Sequence, residues 1–201
     1  MDLHFSPGSV ATAVAIALEE TGRTYTPVRV DFAAQAQRSP EFLAVNPKGR
    51  VPALVTDDGV LTETGAILEY IGDGTDLVPS GTLGRTRMRE IMYYIASTMH
   101  VAHAHKLRGA RWADQASSLA DMTAKVPQTM ADCCAHLEDT YPFAPFALGD
   151  RISLADAYLF IALQWAGTDG VDLGVFPKLS TYVAMFDGRA SARAVRAKGI
   201  I

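Results

Sequence analysis

The stretch NPKGRVPALVTDDGVLTETGAILEYIG, residues 46–72, decides how the first part of this chain folds. Two runs of apolar and β-branched residues, Val51–Val55 and Val60–Leu61, flank Asp57-Asp58-Gly59. Because glycine readily adopts the positive φ that a tight turn needs, this pattern predicts a β-hairpin. The residues that follow, Thr64–Ile71, have the apolar spacing of a helix, and the next glycine should end it.

Residues upstream of the hairpin predict a strand, a helix, a second strand and a short helix. The apolar positions that carry this pattern are Leu3 and Phe5, then Val10, Ala13, Val14, Ala17 and Leu18 on one helix face, then Val28, Val30 and Phe32. Ser9 is placed to cap the first helix and Gly22 to end it. Two strands joined through a helix should be parallel. Ser39-Pro40 is typical of a helix start and opens the short helix Glu41–Ala44.

Beyond residue 72 the pattern changes to almost continuous helix. The segment Gly72–Gly84 also contains Gly74, Pro79 and Gly81, which is typical of a linker. The sequence therefore predicts an α+β fold in two parts. Residues 1–75 should form a β-α-β-α-β-β-α domain, and residues 84–201 an all-α domain.

Five helices are expected in the second domain. The first has an apolar face of Met88, Ile91, Met92, Ile95, Met99 and Ala102 and should end near Gly109, and the others are expected at Asp114–Thr140, from Ser153 onward, at Lys178–Phe186 and at Ala190–Ala197. Pro127 should bend the second helix or start a new turn. Ser153 and Asp156 match a capping box, and the helix after them is apolar nearly all round, as a buried helix would be.

Composition excludes several classes of protein. The 201 residues carry 18 Lys and Arg against 22 Asp and Glu, a net charge of −4, which gives no basic surface for nucleic acid or an anionic membrane. The two cysteines, Cys133 and Cys134, are adjacent and cannot readily bridge each other. The first basic residue is Arg23, and the longest apolar stretch, 155–166, is shorter than the ~20 residues of a membrane span. We therefore expect a cytoplasmic protein.

Three motifs resemble those of the glutathione S-transferase family. NPKGRVPAL (46–54), LTETGAILEYI (61–71) and DRISLADAYLF (150–160) look like family signatures, and the strand followed by Ser6-Pro7-Gly8 is similar to the start of the bacterial beta class. The resemblance runs over the whole chain. It implies a thioredoxin-like first domain, glutathione as cosubstrate, no metal, and a homodimer.

The resemblance also implies which residues contact glutathione. The family's proline at Pro52 is cis, and the residue at Val51 offers its N–H and C=O to the cysteinyl part of the tripeptide. Glu63 and Thr64, at the start of a helix, would bind the γ-glutamyl end, since a helix N-terminus suits a carboxylate. Lys48 belongs to the same set. Ser153 and Asp156 are expected to be structural.

A transferase must hold glutathione as a thiolate, and this requirement exposes a departure from the beta class. Lowering a thiol pKa from ~8.5 to ~6.5 takes roughly 2.7 kcal/mol. A helix N-terminus contributes only ~0.3–1 kcal/mol, so a hydrogen-bond donor should help. The beta class places a cysteine at Val10, and often a tyrosine at Phe5 and a serine at Ala11, so all three polar groups are missing. Ser9 is the first choice of donor, although it could simply cap the helix.

Other residues could contribute to the same site. Ser6 and Thr12 are further hydroxyl donors near Ser9. His100 stands where beta-class enzymes direct a histidine toward glutathione, although a packed helix histidine is the alternative. His103 shares its helix face, but no carboxylate or cysteine of that helix completes a metal site. Plausible wall residues of the substrate pocket are Met92, Tyr93, Ala96 and His103.

The leading hypothesis is a glutathione transferase that conjugates the thiolate to a small hydrophobic electrophile. A glutathione-binding member without catalysis, or a regulatory one, is the alternative that the absence of a cysteine at Val10 favours. A glutathione-dependent lyase or isomerase is a third possibility. A disulfide reductase is disfavoured, since the first 132 residues contain no cysteine.

Overall fold

A computed structural model describes all residues from Met1 to Ile201. The first part of the chain contains β1 (Asp2–Phe5), α1 (Ala11–Glu20), β2 (Thr26–Arg29), α2 (Pro40–Val45), β3 (Ala53–Thr56), β4 (Gly59–Thr62) and α3 (Thr64–Gly72). This is the predicted β-α-β-α-β-β-α order. The strands lie in the order β2-β1-β3-β4, with β1 parallel to β2 and the other two pairs antiparallel.

The second part is helical throughout. It contains α4 (Thr82–Tyr94), α5 (His100–Arg108), α6 (Ala116–Thr140), α7 (Leu154–Thr168), α8 (Pro177–Asp187) and α9 (Ala190–Ala197). Single 3₁₀ turns lie at Gly109–Arg111 and Leu173–Val175, and the first part of the chain has one at Ala36–Arg38. The helix α6 continues through Pro127, so no new helix starts there. No helix is both long and apolar enough to cross a membrane, and both cysteines are free and buried.

The expectation of one uninterrupted helix from Met88 to Gly109 was wrong in one respect. A π-helical turn, Ile95–Met99, separates α4 from α5. Ser97 donates its hydroxyl hydrogen to the Tyr93 carbonyl at 2.8 Å, and side-chain bonds of this kind compete with the regular backbone ladder. The turn contains Ala96 and is followed by His100, and both residues line the cleft described below. π-Helical turns are frequent at functional sites.

The helix α1 is buried on every face, not only on the predicted apolar one. All residues from Ala11 to Leu18 are buried. Alanines lie on the predicted face and on the other faces, and their small side chains let neighbouring helices approach closely. α3, α7 and α9 all pack against α1, so the two parts of the chain share one hydrophobic core.

Hydrogen bonds at the helix ends confirm the predicted caps in most places. The Asp156 carboxylate accepts from the Ser153 N–H at 2.8 Å and from the Ser153 hydroxyl at 2.9 Å, which confirms the capping box. Ser39 caps α2 by accepting from the Phe42 N–H. Ser9 differs from expectation, because Val10 occupies the N-cap position of α1.

Candidate functional site

A cleft of about 690 Å³ lies between the two parts of the molecule. Its first wall is made by the turn before α1, the segment 46–52 and the start of α3. Its second wall is made by α4, α5 and α7, joined by the 3₁₀ turn after α5. The lining residues include Ser9, Lys48, Val51, Pro52, Glu63, Thr64 and His100, so all seven predicted site residues meet here. The predicted wall residues Met92, Tyr93, Ala96 and His103 line it as well.

Val51 presents a free backbone edge to this cleft. The Val51-Pro52 peptide bond is cis, as the resemblance implied. Neither the N–H nor the C=O of Val51 makes a hydrogen bond within the chain, although β3 begins only two residues later. A donor and an acceptor on one residue can pair with an extended peptide as a neighbouring strand would.

The N-terminus of α3 presents further unpaired donors. The backbone N–H groups of Thr64, Gly65 and Ala66 have no hydrogen-bond partner within the chain, and all three residues line the cleft. Glu63, which precedes them, has a φ of +70°, a conformation that is uncommon for a residue with a side chain. Free amides and the positive end of a helix dipole together favour a bound carboxylate.

Lys48 and Glu63 form an ion pair at the rim of the cleft. Lys48 also donates to the Thr62 hydroxyl at 2.8 Å. The resemblance implied that Glu63 would bind the γ-glutamyl end of glutathione, whereas in the structure its carboxylate is already paired with Lys48. Both side chains are exposed, so the pair is of the weak surface type that a charged ligand can join or displace.

Of the three predicted hydroxyl donors, the structure places only Ser9 in the cleft wall. Its oxygen accepts long bonds of 3.4 Å from the N–H groups of Ser6 and Ala11. The Ser9 hydroxyl hydrogen therefore has no acceptor within the chain. Thr12 is fully buried, and its hydroxyl donates to the Ile200 carbonyl at 3.4 Å. Ser6 is buried as well and does not line the cleft.

The Val10 backbone adds a second donor beside Ser9. Val10 lines the cleft, and its N–H has no partner within the chain. The preceding glycine, Gly8, holds this turn in place from two sides. Its N–H donates to the Ile200 carbonyl at 2.9 Å, and its carbonyl accepts from the Trp165 indole N–H at 2.9 Å.

His100 lines the cleft as a neutral imidazole. Burial is the main cause that lowers its pKa to about 3, and the positive charges of Arg108, His103, Arg111 and Arg50 add to it. The imidazole ring packs against Trp165, with ring centroids 4.7 Å apart. At neutral pH this side chain can donate a hydrogen bond but carries no charge.

A second histidine on α5 is held by a buried carboxylate. His103 Nδ1 lies 2.7 Å from Asp169 Oδ2, and the Asp169 side chain is completely buried. Lys106 Nζ lies 3.1 Å from the other carboxylate oxygen of Asp169. The His103 ring stacks on Trp165 at 4.5 Å, with an angle of 8° between the planes. This packing fixes the position of Trp165, whose indole also bonds to Gly8 beside Ser9. The chain holds no group of three or more His, Cys, Asp or Glu side chains suited to a metal ion.

Comparisons with known proteins identify the family of this chain. The family model described as "Glutathione S-transferase, N-terminal domain" matches residues 3–73, and "Glutathione S-transferase, C-terminal domain" matches residues 110–184. A solved glutathione transferase homologue from Sulfitobacter, with bound glutathione, is 51% identical and superposes with a TM-score of 0.97 over 100% of this chain and 98% of that one. The chain belongs to the glutathione S-transferase family.

Two further relatives are similar to this chain at lower identity. A bacterial beta-class glutathione S-transferase from Sphingomonas chungbukensis is 32% identical, with a TM-score of 0.84 and complete coverage of both chains. A maleylacetoacetate isomerase from Rhizobium meliloti is 34% identical over 179 residues, which cover 85% of this chain and 83% of that protein. The first relative agrees with the predicted resemblance to the beta class. The second shows that the family includes proteins named for isomerisation.

Several cleft residues of this glutathione S-transferase were not predicted from the sequence. They are Gln37, Arg38, Arg50, Arg108, Arg111, Trp112, Tyr158 and Trp165. The Gln37 side-chain oxygen is the one buried side-chain polar atom without a hydrogen-bond partner in the chain. Arg50 and Tyr158 lie within motifs quoted above but were not assigned to the site. The other residues lie in loops or on helix faces whose direction depends on how the two parts of the chain meet, so no local motif marks them.

Proposed function

We propose that this protein is a glutathione transferase, in which bound glutathione attacks a small electrophile through its thiolate. The observation that carries the proposal is a ring of unpaired backbone groups around one cleft. The N–H and C=O of Val51, three N–H groups of α3 and the N–H of Val10 all lack partners within the chain. Unpaired backbone groups in a concave site are typical of a site that binds a peptide-like ligand.

Glutathione has groups that match this ring. The cysteinyl backbone pairs with Val51, and the γ-glutamyl carboxylate binds at the α3 N-terminus, where Thr64 adds its hydroxyl. The ammonium group of glutathione approaches Glu63. Lys48 then pairs with the γ-glutamyl carboxylate nearby. The unpaired Gln37 oxygen can accept an amide N–H of the tripeptide.

The thiolate lies against the turn before α1. Ser9 donates its free hydroxyl hydrogen and Val10 its N–H, and a hydrogen bond to a charged group contributes about 1.5–3 kcal/mol. Together with the helix dipole, this reaches the roughly 2.7 kcal/mol that a thiol pKa of about 6.5 requires. His100 supplies a further uncharged donor. Val10 stands at the beta-class cysteine position, so no cysteine of the protein can form a mixed disulfide there.

The conjugation step forms one carbon–sulfur bond. The thiolate sulfur gives an electron pair to the electrophilic carbon. A leaving group then departs with the pair from its own bond, or the displaced pair of a double bond takes up a proton from water. The protein holds the sulfur ionised and positions the electrophile against Met92, Tyr93 and Ala96, whose apolar surface suits a small hydrophobic body.

Titration of the bound thiol by its ultraviolet absorbance tests this proposal. In the wild-type complex we expect a thiol pKa about two units below the free value of ~8.5. Ser9→Ala should raise it by about one unit, because one charged hydrogen bond is lost. Ser6→Ala is the matched control and should leave the pKa unchanged, since Ser6 does not line the cleft.

Two outcomes would contradict parts of the proposal. A bound thiol pKa near the free value would exclude conjugation and favour the alternative of a glutathione-binding protein without catalysis. An unchanged low pKa in Ser9→Ala would instead remove Ser9 and assign the thiolate to the Val10 N–H or His100.

A glutathione-dependent isomerase is the second candidate, favoured by the similarity to the maleylacetoacetate isomerase of Rhizobium meliloti. In an isomerase the thiolate adds to the substrate and leaves again, so glutathione is regenerated. Measuring glutathione consumption against product formation separates the two reactions. Conjugation consumes one glutathione for each product, whereas isomerisation consumes none.

We also propose a homodimer, as the resemblance to the family implies, and a cytoplasmic location. Sedimentation equilibrium tests the first proposal directly. A mass of twice the 21.6 kDa of one chain is expected, and a monomer at micromolar concentration would contradict it.

A further inference from the structure

The cleft is lined by far more positive than negative charge. Its cationic side chains are Arg38, Lys48, Arg50, Arg108 and Arg111, and its single carboxylate belongs to Glu63. This imbalance contrasts with the whole chain, which carries a net charge of −4. The positive charge is therefore concentrated at the site.

The four arginines of the cleft have no acidic partner. None of them takes part in an ion pair, whereas Arg89 and Arg189, outside the cleft, each pair with a glutamate. Burial lowers the pKa of the half-buried Arg108, and the charge of Arg50 adds to this effect. Burial also lowers the pKa of Arg111, together with the charges of three other arginines. Clustered cations without counter-charge are unfavourable unless an anion joins them.

Glutathione alone does not balance these charges. Five cations against one carboxylate leave four positive charges in the lining. Glutathione in its thiolate form has two carboxylates, one thiolate and one ammonium, and so brings a net charge of −2. Two positive charges remain after it binds.

Two of the five cations, Arg108 and Arg111, belong to the helical wall of the cleft. Arg108 ends α5 and Arg111 lies in the 3₁₀ turn that follows, both in the helical part of the chain. The groups that match glutathione come from the other wall, at Val51 and the start of α3. Trp112, 47% exposed, lies beside Arg111 and offers an apolar surface in the same wall.

We propose that Arg108 and Arg111 bind a carboxylate of the second substrate, so that the electrophile of this enzyme is an organic acid. The planar guanidinium group matches a carboxylate with two parallel hydrogen bonds. The carbon skeleton of the acid lies between Trp112 and the apolar wall at Met92. This inference rests on the proposed transferase function, whose electrophile it specifies.

A matched pair of electrophiles tests the inference. The probes are 4-chloro-3,5-dinitrobenzoate and its methyl ester, each rate being divided by its uncatalysed rate with free glutathione at the same pH. For the wild type we expect the normalised kcat/KM of the acid to be at least about tenfold higher than that of the ester. A ratio of this size corresponds to the free energy of one charge-assisted hydrogen bond. Equal values for the two probes would overturn the proposal.

Arginine variants locate the effect. In Arg111→Met and Arg108→Met the acid-to-ester ratio should fall about tenfold, mainly through a higher KM for the acid. Arg111→Lys should restore part of the ratio, since the charge remains but the planar fork is lost. The control is Arg85→Met, which removes an arginine that lies outside the cleft and should leave the ratio unchanged. Equal losses for acid and ester in the Arg108 and Arg111 variants would show a merely structural role.

Binding of three glutathione derivatives separates this inference from the proposed function. S-benzylglutathione is compared by calorimetry with its 3- and 4-carboxybenzyl analogues, which need no turnover. Tighter binding of a carboxybenzyl analogue, lost in Arg111→Met, would support the acid site even if the thiol titration excluded conjugation. If conjugation occurs but neither analogue binds more tightly than the benzyl compound, the acid site is wrong while the transferase function stands.

Discussion

At the scale of single residues, Gly49 shows how closely two loops approach under the cleft. Its φ is +61°, and a Cβ atom added there would lie 2.9 Å from the Gln37 carbonyl oxygen and 3.1 Å from the Arg38 guanidinium. Only glycine fits both the conformation and the contact. The turn that carries Lys48 therefore requires Gly49, because any side chain at this position would collide with the neighbouring loop.

Gly49→Ala should therefore lower both stability and glutathione affinity. The matched control is Gly22→Ala, because Gly22 has a φ of +66° but no atom within 4 Å of the added Cβ. We expect Gly22→Ala to cost about 1 kcal/mol from conformation alone, and Gly49→Ala about 1–3 kcal/mol more from overpacking. Urea denaturation measures the difference, and calorimetry should show weaker glutathione binding only in Gly49→Ala. Equal losses in the two variants would contradict the steric account.

His100 predicts how stability depends on pH. Its pKa is about 3 in the folded chain but about 6.5 in the unfolded one. Between these values the unfolded state takes up a proton that the folded state does not. Stability is therefore complete above about pH 6.5 and falls as the pH decreases, by up to about 1.4 kcal/mol per unit from this side chain.

In His100→Gln the loss of stability between pH 6.5 and 5 should be smaller than in the wild type by about 1.5 kcal/mol. Chemical denaturation at several pH values measures this. The control is His136→Gln, which makes the same substitution at an exposed histidine on α6 that does not line the cleft. Parallel curves for His100→Gln and the wild type would show that the imidazole also takes up a proton in the folded protein.

Residues in local motifs could be predicted from the sequence, whereas residues that meet only in the folded chain could not. Val51, Pro52 and Thr64 lie in short motifs in which backbone conformation defines the site. Arg108 and Arg111 are ordinary surface residues in the sequence. They become part of the cleft because α5 and the turn after it are placed across from the segment 46–52, and that placement depends on the packing between the two parts.

At the scale of elements, α1 and α9 are joined by an ion pair between distant parts of the sequence. The Arg189 guanidinium donates through both Nε and one terminal nitrogen to the Glu20 carboxylate, the latter bond being 2.9 Å long. Ser191 donates to the same carboxylate. The Glu20 side chain is only 12% exposed, so solvent screens this pair weakly.

A double-mutant cycle of Glu20→Ala and Arg189→Ala should give a coupling free energy of about 1–2 kcal/mol. The control cycle uses Asp76→Ala and Arg151→Ala, because that pair is 3.5 Å apart and largely exposed. There we expect at most about 0.5 kcal/mol. Thermal or urea denaturation supplies the values. A coupling for Glu20 and Arg189 no larger than the control would show that this ion pair does not hold α9 against α1.

The element order was predictable because each strand and helix has its own periodicity. The π turn at Ile95–Met99 was not, since it leaves the apolar pattern of the long helix intact. The burial of α1 was predicted for one face only. Its alanines are compatible with both a solvated and a closely packed face, and the choice between them depends on α7 and α9, which lie far along the chain.

At the scale of the whole molecule, the two predicted domains should unfold as one unit. The helix α1 belongs to the first part by sequence, yet α7 and α9 of the second part cover it. A fragment of residues 1–75 would leave these contacts open and should not fold alone. Far- and near-ultraviolet circular dichroism of the full chain should give coincident thermal transitions. Two separate transitions, or a cooperatively folded fragment, would contradict the shared core.

Trp165 and Trp112 have one more consequence. They are the only tryptophans of the chain, and both line the cleft, one buried and one 47% exposed. The tryptophan emission of the protein, excited at wavelengths that its seven tyrosines do not absorb, therefore originates entirely from the walls of its binding site. An organic acid bound against Trp112 should shift the fluorescence emission of Trp112 to shorter wavelength. Glutathione bound near Gly8 should alter the fluorescence of Trp165. The molecule thus carries two unlabelled optical reporters, one for each proposed substrate.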